Sequence, residues 1–219
     1  MRTLSVMRFV VFGAVGLGVG WAVAGLFNVA LVGIISPMVQ PGSGELPGWY
    51  LWTDDLPYYT YSFAGACGGA GLGLAMGGWK RIVALTVAGG IGLGLSLFLL
   101  FIVSFLFGLH PVGMAIGVGL FGGVSFGLVF GDWKRVVLLG LAGMVGFGVG
   151  GTLTAALEMP FALYPWLGDF TELWQAPLLL VQHLLVQVVV GIIGGASLGA
   201  AFGYLENRKL ASERRPRVR

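Results

Sequence analysis

Charge is what this chain has least of. Only 10% of its 219 residues are Asp, Glu, Lys or Arg, against roughly 25% in a soluble domain. That leaves too little polar surface to cover a water-soluble fold of this length. A single cysteine, Cys67, excludes a disulfide framework and any multi-cysteine metal or cluster site. There is no HExxH helix, no GxSxG elbow, no Walker loop and no Cys/His ligand set. A GxGxxG-type match inside the glycine-rich runs has no preceding strand and no βαβ unit around it, so it is not a dinucleotide loop. The expectation is a chain that is not an enzyme and uses no cofactor or metal.

What the chain has is apolar length. It is 57% hydrophobic with 40 glycines and a mean hydropathy of +0.93. The glycines follow no G-X-Y period; they sit inside long apolar stretches, where transmembrane helices tolerate them. A helix crossing the hydrocarbon core needs about 20 apolar residues. Six stretches qualify, near residues 9–36, 61–78, 82–107, 112–131, 136–157 and 177–204. The first is much longer than the apolar segment of a signal peptide and ends at Ser36-Pro37, which is no small-residue cleavage site.

With six spans, all twelve basic residues fall on one side together with both termini: Arg2, Arg8, Lys80, Arg81, Lys134, Arg135, Arg208, Lys209, Arg214, Arg215, Arg217 and Arg219. Positive charge marks the cytoplasmic side, so both termini are expected there, in a prokaryotic inner (cytoplasmic) membrane. The outer side receives Glu45, Asp54, Asp55, Glu158, Asp169 and Glu172. The net charge of +3 reads as helix-end anchors plus a basic tail over 207–219 that is attracted to anionic lipid, not as a nucleic-acid footprint.

Glycines recur at a four-residue spacing. Gly65, Gly69, Gly73 and Gly77 form one row, Gly119, Gly123, Gly127 and Gly131 a second, and Gly191, Gly195, Gly199 and Gly203 a third. The first two end in Gly-Trp-Lys-Arg-like corners, Gly78-Trp79-Lys80-Arg81 and Asp132-Trp133-Lys134-Arg135. Odd-numbered spans have triplets of their own: Gly16, Gly18 and Gly20; Gly90, Gly92 and Gly94; Gly146, Gly148 and Gly150. The spacing predicts an all-α membrane domain over 1–206. It is built from three parallel helical-hairpin repeats, about 8–78, 81–132 and 135–204, related by a pseudo-threefold axis along the membrane normal. Small residues let helix backbones approach where hydrophobicity alone cannot drive association, so the rows are expected to be packing seams. Six helices in three parallel hairpins resemble the plan of mitochondrial carriers, but the likeness stops at the count, because the odd spans lack a proline-linked acidic–basic signature.

Polar groups within the spans are few. Gln182, His183 and Gln187 cluster in the sixth span, and His183 and Gln187 share a helix face. Their ordinary role is interhelical hydrogen bonding; a proton or ligand contact is the sharper alternative. Glu158 closes the fifth span and is expected near the interface. Asp54, Asp55, Asp169 and Glu172 lie in aromatic-rich outer segments, read either as an interfacial belt or as an acidic lid. The resulting expectation is an accessory or packing subunit of a larger membrane assembly, with the lipid bilayer and other membrane subunits as partners. The alternative is a small channel or permease for a small solute or cation along the pseudo-threefold axis.

Overall fold

In hydrocarbon every backbone N–H and C=O must be bonded within the chain, so apolar runs too rich in glycine to hold as helices in water become helical here. A computed structural model describes residues 6–35, 56–107, 111–162 and 172–213, and their side chains except those of 28, 29, 31–35, 56–58, 101, 104–107, 111, 157–162, 172–184 and 213. These residues form six helices: α1 Val6–Ile35, α2 Leu56–Met76, α3 Trp79–Phe107, α4 Pro111–Leu128, α5 Trp133–Ala162 and α6 Glu172–Glu213. Four contain segments long and apolar enough to cross a membrane: Val6–Phe27, Trp79–Leu100, Trp133–Ala156 and Leu185–Ser212; Val112–Leu128 is shorter. In α2 the run Tyr58-Tyr59-Thr60-Tyr61-Ser62 dilutes the apolar content. The chain is a multi-pass integral membrane protein.

Each helix packs on its neighbours in the chain, and α6 closes on α1, so the six form a ring. Within it the most extensive contacts join α2 to α3, α4 to α5, and α6 to α1. The closest packing therefore divides the chain differently from the hairpins read off the sequence. Each pair consists of an even helix and the odd helix after it, and in the third pair that odd helix is the first of the chain.

Glycine explains why these pairs are closest. A methyl group placed on Gly69 would come 2.9 Å from Thr86 N, on Gly123 2.9 Å from Gly140 Cα, and on Gly199 2.9 Å from Val10 Cα. One turn earlier in each even helix, Gly65 abuts the carbonyl of Gly89, Gly119 that of Gly143 and Gly195 that of Gly13, each contact being reciprocal. One turn later, Gly73, Gly127 and Gly203 lie against the Cα atoms of Ile82, Val136 and Val6. No Cβ would fit at any of these levels, and backbone meets backbone.

The contacts also set the register. Gly77 and Gly131 are not in a seam; they end α2 and α4 at φ of +75° and +63°, with open space around them. The residue four beyond Gly203 is Asn207, and there the helix continues to Glu213. Gly191, the first of the third row, meets the Trp21 side chain and, at 3.1 Å, the backbone carbonyl of Leu17. In the odd helices Gly18, Gly94 and Gly148 receive the side chains of Ile192, Ser62 and Ile116 at matching levels. Counting back from these, Gly16, Gly92 and Gly146 match. Gly90 stands level with Ala14 and Met144, and Ser96 is level with Gly20 and Gly150. The second triplet is thus two residues out of register with the others.

Bulky residues face outward. Val11, Val15, Val19 and Val23 in α1, Val83, Val87, Ile91 and Leu95 in α3, and Val137, Leu141, Val145 and Val149 in α5 are all exposed, as a lipid-facing surface requires. Replacing Gly69, Gly123 or Gly199 by Ala should lower thermal stability in detergent by roughly 1–3 kcal/mol, the usual cost of overpacking. Gly90→Ala should change little, because its nearest neighbours would be Ser62 O at 3.3 Å and Ala66 Cβ at 3.5 Å. Equal losses at Gly90 and Gly123 would contradict the seam assignment.

Candidate functional site

One end of the ring carries the described basic side chains. Gly203 lies against Val6, so the start of α1 meets the end of α6. Arg8 Nη2 donates to Leu74 O at the end of α2, 3.2 Å away, and Arg135 Nη1 donates to Glu206 Oε1 at 3.0 Å. These contacts bring Arg8, Lys80, Arg81, Lys134, Arg135, Arg208 and Lys209 to a common end. Trp79 and Trp133 are exposed there, where an amphipathic ring suits the headgroup layer. The Asp132 side chain caps α5, its Oδ1 accepting from Lys134 N at 3.1 Å, and lies 3.8 Å from Arg135 Nε.

Glu206, on α6 at this same end, is buried to 7% exposure. Arg135 pairs with it and lies 4.8 Å over the Phe130 ring, and Phe130 meets Phe202 edge-on at 5.6 Å. The result is a sealed corner of α4, α5 and α6. Nothing in the spacing of Glu206 separates it from its neighbours Asn207 and Arg208. Only its position facing α5 makes it special.

The interior is apolar. One contiguous cluster draws Phe9, Leu17 and Trp21 from α1, Leu72 from α2, Leu85 and Leu93 from α3, Phe126 from α4, Leu139 and Phe147 from α5, and Leu198 and Phe202 from α6. Phe126 and Phe202 touch across the ring, their centroids 6.2 Å apart. Buried hydroxyls are satisfied locally: Ser96 Oγ donates to Leu93 O at 2.6 Å and Thr154 Oγ1 to Gly151 O at 2.9 Å. Ser125 Oγ also bonds within its helix, to Gly122 O. Ser197 Oγ instead crosses from α6 to Ala142 O on α5, at 2.7 Å.

The polar cluster expected in the sixth span lies in α6. Gln187 is half-buried, whereas the side chains of Gln182 and His183 fall outside the described residues. Glu158 is within α5 and Glu172 opens α6, their side chains likewise outside; Asp54, Asp55 and Asp169 lie wholly outside. The chain reading passed over the corner next to Gln187. Trp21 is 2% exposed and meets Tyr61 edge-on at 4.5 Å. A tryptophan in the middle of a span, away from either interface, is the signal that could have found it. Among the described residues no group of three or more His, Cys, Asp or Glu could hold a metal ion.

Comparison of the chain with protein-family models, with curated proteins and with solved structures gives no match.

Removing one partner of a buried ion pair leaves an uncompensated charge, at a cost of about 3 kcal/mol or more. Glu206→Ala should therefore sharply lower the thermal midpoint in detergent, and the double variant Glu206→Leu with Arg135→Met should recover most of the loss. A double variant as unstable as the single one would show that Glu206 acts through packing alone.

Proposed function

We propose that this chain is a non-catalytic membrane subunit. Its six helices all cross the bilayer, and it serves as an accessory packing element of a larger membrane assembly. In this reading the three even–odd pairs are repeats around a pseudo-threefold axis along the membrane normal, with the basic end and both termini cytoplasmic. The matching glycine contacts of the three pairs support the repeat, and the common basic end supports the orientation.

The observation that carries the functional reading is the interior. All six helices contribute to one apolar core, and the buried carboxylate among the described residues is ion-paired at the basic end. Coupled transport requires ionisable or hydrated groups along its path, whereas leucine and phenylalanine interdigitate here. Outside, valine rows on α1, α3 and α5 offer lipid or a partner helix an apolar face.

Two measurements test this. In a Cys67→Ser background, Lys80→Cys and Lys134→Cys should both resist a membrane-impermeant thiol reagent until the membrane is opened; labelling of only one would overturn the topology. Purification in mild detergent should recover the chain with stoichiometric membrane partners. A chain that travels alone and conducts a small solute or cation into liposomes would overturn the accessory role in favour of a channel or permease.

A further inference from the structure

The corner shared by α1, α2 and α6 differs from the rest of the core. Trp21 Cδ1 fills the space beside Gly191, and Nε1, bonded to that carbon, lies on the same edge of the indole. Nε1 is buried and has no hydrogen-bond acceptor among the described residues. The ring stands at 84° to Tyr61. Thr60, next to Tyr61, is buried. Gln187 is one turn outward from Gly191 on the same face of α6. The indole N–H and the phenol thus meet in a core built mainly from Leu, Phe, Ala and Gly, with a buried hydroxyl and an amide on the helices that bound this corner.

A buried donor without an acceptor is costly in hydrocarbon and is rarely left so. The indole could have been Phe or Leu, as its neighbours are, if filling space beside Gly191 were all that was needed. We propose that this corner is a binding site for a small neutral molecule carrying an oxygen that accepts from Trp21 Nε1, water being the smallest of the class. Neutrality follows from the surroundings. Trp21, Tyr61, Thr60 and Gln187 bear no charge, and Glu206 is roughly 20 Å away along α6, at 1.5 Å per residue. The proposal is independent of the accessory role.

The test uses the full chain in detergent, with its tryptophans labelled with ¹⁵N at the indole. Trp21→Phe assigns the Trp21 indole resonance by its loss, and Trp21→Tyr does so if the first variant fails to fold. The expected result is an indole proton in the downfield, hydrogen-bonded range, together with a thermal midpoint several degrees lower in Trp21→Phe while the other indole resonances stay in place. Cross-relaxation from that proton to water identifies water as the occupant. An added mass in native mass spectrometry that Trp21→Phe loses identifies a solute. Either supports the site. An upfield indole proton with no loss of stability in Trp21→Phe would overturn it, as would cross-relaxation to a protein side chain in place of a bound molecule.

Discussion

Close approach of one helix backbone to another, with no side chain between them, is the contact on which the rest of this molecule depends. Lipid tails are as apolar as leucine, so the helices gain nothing by hiding apolar surface from them, and the attraction must come from van der Waals contact and weak Cα–H···O bonds. Both grow steeply as the axes approach. Glycines at 65, 69 and 73, at 119, 123 and 127, and at 195, 199 and 203 permit that approach in three pairs of helices. The valine rows, the apolar interior and the position of the basic corners all follow once those pairs are in place.

Much of this was legible in the chain, for a definite reason. Long apolar runs and basic turns mark helices and their ends through large, unambiguous differences in transfer free energy. Four-residue glycine rows announce seams because few other roles require that spacing. Register was harder to read. With 40 glycines in the chain, a row of four can be drawn one turn too far, as at Gly77 and Gly131, because spacing alone does not say which glycine meets backbone. The contacts decide that Gly191 accommodates Trp21 and that Asn207 takes the place held by Gly77 and Gly131. The shift of Gly90 has the same origin: a triplet of alternating glycines looks alike whichever of its members is in the seam.

Which helices pair was least legible. Short turns suggest that neighbours in the chain belong together, and so they do at Gly77-Gly78 and around Asp132. The sequence has no sign that α6 takes α1 in the same way, since they are at opposite ends of the chain. The role of Glu206 is hard to read for a similar reason. A carboxylate among Arg208 and Lys209 looks like an exposed residue until Arg135, from a distant helix, is seen facing it. Both features concern long-range neighbours, which local spacing does not encode.

The pairing of α6 with α1 has a bearing on how the molecule is made. Two of the three pairs can associate as soon as their second helix has left the ribosome, since they are consecutive in the chain. Helix α1 has no such opportunity: the surface around Phe9 and Gly13 must remain against lipid or a chaperone until α6 has been synthesised. Closure of the ring is therefore a contact of very high sequence separation, the kind that forms late and slowly. A chain stalled before α6 would leave an open ring with one uncovered face.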